Sequence, residues 1–141
     1  MSLYVLDTDV LTLYEKQHAV VCRNFLAHSP ADLSTTVITV EEQLSSWYTL
    51  LRRTRQHEVT KLARAYQRLA DNVQLLSSLR ILSFTEAAIE RYQKLLALKL
   101  NVRKMDLRIA AITLEHEAVL VTRNLQDFRR VPGLDIEDWT Q

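Results

Sequence analysis

The sequence predicts an α/β fold in three layers, with a short, mostly parallel sheet of four to five strands and a long helical hairpin. Two observations carry this prediction. Short apolar runs rich in strand formers alternate along the chain with stretches of helical period. Only one Gly and two Pro occur in 141 residues. Tight two-residue hairpins need φ > 0 positions that Gly normally fills, so helical crossovers between parallel strands are the natural connection.

In order, Leu3-Tyr4-Val5-Leu6 forms a strand that gives way at once to Asp7-Thr8-Asp9. Val10 to Glu15 reads as a short helix opened by Asp7 or Asp9, and Val20 to Ala27 as a second, closed by Ser29-Pro30. Leu33 to Val40 is crowded with Thr, Val and Ile and predicts a strand. The period then changes. Leu44, Trp47, Leu50 and Leu51, followed by Leu62, Ala65, Leu69, Val73 and Leu76, fall at helical spacing, which predicts a hairpin of helices over about 40–55 and 58–77. Arg80 to Phe84 is a short strand, and Thr85-Glu86 opens an amphipathic helix through Leu98. Asp106 to Leu114 is apolar on most of its circumference and predicts a buried helix. Val119-Leu120-Val121 is a brief buried strand, Asn124 to Arg130 a polar loop or helical turn, Pro132-Gly133 a turn, and Leu134 to Trp139 a last strand.

The length fits one domain, residues 1–141, large enough to bury a proper core. A net charge of +1 gives the molecule no strong field, so a nucleic-acid partner would be held by local basic patches. The single Cys22 excludes a disulfide framework and a thiolate zinc cluster, which leaves oxygen ligands as the metal chemistry. No segment approaches the roughly twenty apolar residues of a membrane span. The N-terminus lacks a basic region followed by an apolar signal core, so a cytoplasmic protein with no membrane partner is expected.

Four acids stand out, and each has an ordinary alternative. Asp7 ends a strand, where an open parallel sheet places its ligands, but Asp is also a favoured N-cap. Glu42 follows the second strand, yet Thr39-Val40-Glu41-Glu42 also fits a capping box. Asp106 shares a helix face with Ile109, Ala110 and Thr113; a buried carboxylate there must meet a cation, a donor cluster or a metal, unless it caps the helix. Asp127 follows the Val119 strand in a segment where most Asp residues are simply solvated. An α/β sheet would nevertheless bring all four to one end. Clustered carboxylates without His or Cys suit Mg²⁺ or Mn²⁺, which can deprotonate a water and stabilise a phosphodiester transition state. In-line attack of that water, with the 3′-oxygen as the leaving group, would leave 5′-phosphate and 3′-hydroxyl ends.

The blocks Leu6-Asp7-Thr8-Asp9, Thr39-Val40-Glu41-Glu42, Asp106-Leu107-Arg108-Ile109-Ala110-Ala111, Val121-Thr122-Arg123-Asn124 with Asp127-Phe128, and Val131-Pro132-Gly133-Leu134 with Glu137-Asp138-Trp139 occur in that order from end to end of the chain. Together they resemble a PIN-domain protein of the VapC toxin type. The resemblance implies a small α/β/α fold, Mg²⁺- or Mn²⁺-dependent endoribonuclease activity, a homodimer and a cognate antitoxin that blocks the site. It also implies that Asp7, Glu42, Asp106 and Asp127 bind metal, with Thr122 positioning the first acid or a water and Asn124 as the polar residue beside it. Asp9 falls where the family varies and is expected to be peripheral. The family usually has small or polar residues before the third acid, where this chain has Val102-Arg103-Lys104-Met105, and often a Gly where it has Glu117-Ala118.

RNA phosphates would be drawn in by Arg103, Lys104, Arg108, Arg123, Arg129 and Arg130, in contacts that specify no sequence; Arg108 could instead pair with an acid. Trp47, Tyr48, Leu51 and Tyr66 exceed what the hairpin needs for its own seam, which makes them either core or a surface for the antitoxin or a second protomer. Two other readings compete. Asp7-Thr8-Asp9 after an apolar strand resembles the nucleophile motif of a haloacid-dehalogenase-like phosphatase, although Leu11 stands where that motif wants Thr or Val. The fold could also serve as a noncatalytic module that binds RNA or protein.

Overall fold

A computed structural model describes residues 2–141. Five short strands, β1 (Tyr4–Leu6), β2 (Leu33–Thr36), β3 (Arg80–Leu82), β4 (Val119–Val121) and β5 (Asp135–Glu137), form one sheet in the order β3-β2-β1-β4-β5. Every pairing is parallel, so the sheet is wholly rather than mostly parallel. Helices α1 (Thr8–Glu15) and α2 (Ala19–Leu26) cross from β1 to β2, α3 (Val37–Arg53) and α4 (Val59–Ser78) from β2 to β3, α5 (Glu86–Ala97) and α6 (Lys104–Glu115) from β3 to β4, and α7 (Leu125–Phe128) from β4 to β5.

The period of two along each strand sorts side chains between two cores. Val5 and Leu120 point into a core filled by α5, α6 and α7 through Tyr92, Leu95, Leu107, Ile112 and Phe128. Their neighbours Leu6 and Val121 point the other way, against Val10, Leu11, Val21, Leu76 and Trp139 from α1, α2, α4 and the C-terminal segment. The sheet is therefore the middle of three layers. Among the described residues no helix is long and apolar enough to cross a membrane.

The strand expected over Leu33–Val40 ends at Thr36. Thr36 adopts an extended conformation and its hydroxyl accepts from the Thr39 amide at 3.1 Å, so it caps α3 and commits Val37, Ile38, Thr39 and Val40 to the first turn. Ile38 gains burial in the core there, and tertiary packing overrides the strand propensity of the β-branched run. Strand β2 itself is buried although polar, because the Ser34 and Thr35 hydroxyls each donate to a β1 carbonyl, those of Tyr4 and Leu6, at 2.8 Å. With one Gly in the chain, other residues take the left-handed positions after helices: Gln17 follows α1 at φ 63°, Lys99 follows α5 at 51° and Glu117 follows α6 at 49°.

Candidate metal centre

Parallel pairing brings the carboxyl ends of all five strands to one edge. The connections leave β1 toward β2 on one side, and the chain later returns to place β4 on the other. The gap between β1 and β4 is therefore the point where strand order reverses, the usual ligand crevice of such sheets. A cleft of about 160 Å³ opens there, lined by Asp7, Thr8, Asp9, Glu42, Arg103, Asp106, Ile109, Asn124 and Phe128.

Asp7 and Asp106 are the two buried acids, each with 6% exposure. Asp7 Oδ1 caps α1 by accepting from the Val10 amide at 3.0 Å, so the cap and the site position are one arrangement rather than alternatives. Burial pushes the Asp7 carboxyl up to about 7, partly offset by hydrogen bonds from the buried Thr122 hydroxyl and the Val10 amide, with Asp9 and Asp106 adding repulsion. Thr122 in turn accepts from the Asn124 amide at 3.0 Å.

Glu42 lies on α3 beyond its first turn, not in a capping box, because the cap sits at Thr36, three residues before Thr39. Freed from the backbone, its carboxylate accepts from the Thr8 hydroxyl at 2.9 Å. Burial raises its pKa, the Thr8 bond lowers it, and Asp106 raises it again.

Asp106 is the third residue of α6, a helix whose N-cap residue, Arg103, makes no side-chain cap bond. The buried carboxylate instead takes a bidentate contact from Arg103: Nε reaches Oδ2 and a terminal nitrogen reaches Oδ1, both at 3.1 Å.

Asp127 belongs to the short helix α7 rather than to a loop, and it does not line the cleft. It accepts from Arg130 and from the Asn124 side-chain amide, each at 3.0 Å. Asn124 does line the cleft, so Asp127 adjoins it through that residue. Asp9, expected to be peripheral, is a cleft residue from the first turn of α1. The signal that could have found it was its spacing, two residues beyond Asp7 in the turn that faces the sheet edge.

The basic residues divide. Arg103 is in the cleft, while Lys104, Arg123 and Arg129 are exposed outside its lining. Arg130 is engaged by Asp127 and by the Asn101 carbonyl. Arg108 packs over the Phe84 and Tyr92 rings, at 5.8 and 5.3 Å to their centroids, and touches Met105 rather than the cleft. On the hairpin, Tyr48 and Tyr66 are exposed and Leu51 is partly buried. Trp47 lines a separate groove of about 730 Å³ between α1, α3 and α4.

As a donor set, the carboxylates of Asp7, Asp9, Glu42 and Asp106 fit a hard divalent cation, with no His or Cys to draw a softer one. No three acidic, His or Cys side chains among the described residues are grouped as ligands of one ion. Arg103 holds Asp106 and Thr8 holds Glu42 in the conformation seen.

Several solved structures share this fold. A chain of DNA-bound VapBC from Salmonella typhimurium is 24% identical, with TM-score 0.78 and coverage of 99% of each chain. A chain of VapBC2 from Rickettsia felis, bound to a promoter DNA fragment, is 23% identical, with TM-score 0.74 and coverage of 97% of this chain and 98% of that one. A chain of FitAcB from Neisseria gonorrhoeae is 19% identical, with TM-score 0.76 and coverage of 96% and 97%. A search of curated protein sequences gives no match. The family model described as PIN domain matches residues 4–134, a span that runs from β1 past α7 and includes every cleft residue, and the chain belongs to the PIN-domain family.

Proposed function

We propose that this chain is the toxin of a toxin–antitoxin pair, an endoribonuclease that hydrolyses RNA phosphodiesters with Mg²⁺ or Mn²⁺. The observation that carries the reading is the meeting of Asp7, Glu42 and Asp106, from three separate elements, in one cleft at the strand-order reversal. Bound there, the cation would polarise the phosphodiester and acidify an attacking water. The chain's own residues hold the acids ready. Val10 and Thr122 fix Asp7, Thr8 fixes Glu42, and Asp127 holds the Asn124 amide at the cleft wall while contributing a further carboxylate beside the site. Arg103, Lys104 and Arg123 would contact RNA phosphates without selecting sequence.

Similar structures include a toxin–antitoxin complex from Klebsiella pneumoniae and a member of the VapBC family of toxin–antitoxin systems from Mycobacterium tuberculosis, and on that likeness we assign this chain a cognate antitoxin. A homodimeric state and a cytoplasmic setting belong to the same proposal and rest on the resemblance of the chain's motif blocks to VapC-type proteins. A haloacid-dehalogenase-like role fits less well. Asp7 is buried and spends one oxygen on capping α1, which leaves it poorly presented for attack on a phosphate monoester.

Asp106→Asn should abolish Mn²⁺-dependent RNA cleavage while circular dichroism shows an unchanged fold. Cleavage by that variant at the wild-type rate would overturn the assignment. Absence of metal-dependent cleavage in the wild-type protein, with RNA binding retained in EDTA, would favour the noncatalytic binding module.

A further inference from the structure

Four carboxylates line the cleft, and one cation among the lining residues answers them. Arg103 engages both oxygens of Asp106 through one planar guanidinium, and Glu42 and Asp9 attract it as well. The two partners differ in how firmly they are placed: the Asp106 side chain is 8% exposed within α6, whereas that of Arg103 is 73% exposed and leaves the chain at the cap position, ahead of the helix. The acid is fixed and the arm lies on the solvent side.

We propose that Arg103 and a divalent cation exclude each other at Asp106, and that the guanidinium released by the cation becomes the phosphate contact at the cleft mouth. The inference rests on the nuclease reading above. Both carboxylate oxygens already point at the guanidinium, so a cation that takes either must weaken the pair. Two positive groups within a few ångströms, in a partly desolvated cleft, repel each other. The released arm stays tethered three residues from Asp106. A phosphodiester drawn to the cation offers it two non-bridging oxygens in place of the two carboxylate oxygens it gave up, a face that guanidinium groups match bidentately. In the metal-free protein Arg103 thus keeps a buried acid neutralised, and in the loaded protein it positions substrate.

The test compares wild type, Arg103→Gln and Asp106→Asn, reading Mn²⁺ affinity from the electron paramagnetic resonance signal of free Mn²⁺. Arg103→Gln should bind Mn²⁺ roughly two- to fivefold more tightly than wild type, the scale of a partly exposed ion pair removed as a competitor. Asp106→Asn should bind more weakly. Tightening is a change that damaged folding does not produce. Under saturating Mn²⁺, KM for RNA should rise in Arg103→Gln with kcat nearly unchanged. Unchanged or weaker Mn²⁺ binding by Arg103→Gln overturns the proposal and leaves the nuclease reading standing. Tighter binding with an unchanged KM removes the phosphate role and overturns it as stated. If neither wild type nor Arg103→Gln binds Mn²⁺, the nuclease reading falls and this inference falls with it.

Discussion

The Thr8 hydroxyl donates to Glu42 Oε1 across 2.9 Å, and this bond fastens the start of α1 to a cleft acid on α3. The Thr8 carbonyl is held in turn by Gln43 Nε2 at 3.4 Å, and Gln43 Oε1 accepts from the buried Asn72 of α4 at 2.8 Å. The Asn72 side-chain amide nitrogen also donates to Glu15 at 2.7 Å. Three helices are therefore tied by one polar chain that ends on Glu42. Its cost is visible at Asn72, whose buried Oδ1 has no partner.

Thr8→Val keeps the shape of the side chain and removes the donor. Stability should fall by about 1 kcal/mol, the net worth of one hydrogen bond. Mn²⁺ affinity should fall roughly tenfold, because groups that orient a ligand act on affinity more strongly than on the fold. Titration calorimetry alongside urea denaturation separates the two effects. An affinity unchanged within twofold would show that Glu42 needs no help from Thr8.

Burial of Asp7 makes stability depend on pH in a stated direction. The unfolded chain releases the Asp7 proton near 3.8, and the native protein near 7. Between those values the native state holds more proton, so the metal-free protein loses stability as pH rises through this window and the loss levels off above it. Asp7→Asn keeps an N-cap for the Val10 amide and has nothing to ionise. In EDTA it should match wild type near pH 3.5 and exceed it near pH 8 by up to roughly 4 kcal/mol. Urea denaturation of both proteins across this range is the measurement. Parallel pH profiles for the two would mean that Asp7 ionises in the native protein as freely as in the unfolded chain.

The elements that were legible in the sequence are those where one signal dominates. The apolar runs of β1 and β4, the helical periods of α4 and α5, and the buried face of α6 all fall close to their predicted places. The boundary at Thr36 was hidden because Val37 to Val40 carries strand propensity, and only the core position of Ile38 reveals the helix. Asp7, Glu42 and Asp106 could be gathered because each follows a strand or opens a buried helix. Asp127 also follows a strand, but the local turn of α7 directs it to Arg130 instead of the cleft lining. Arg108 shows what a short spacing leaves out. It lies two residues beyond Asp106, which on a helix is a different face, and the aromatic pair that receives it comes from Phe84 and Tyr92, far away in sequence.

The close of α6 offers a change that touches stability without touching the cleft. Glu117 takes φ 49°, its amide donates to the Leu114 carbonyl at 3.0 Å, and the next amide, of Ala118, donates to the Thr113 carbonyl at 3.1 Å. These two bonds form a Schellman closure, whose left-handed residue is usually Gly. A side chain there costs about 1–2 kcal/mol relative to Gly, and part of that is returned because Gly frees the unfolded chain. Glu117→Gly should therefore raise stability by about 0.5–1 kcal/mol, visible as an increase in Tm of a few degrees. The carbonyls being capped belong to the C-terminal end of α6, whereas Asp106 sits in its first turn, so Mn²⁺ affinity should stay as in wild type. A fall in Tm would mean that the exposed Glu117 side chain stabilises the protein by more than its backbone strain costs.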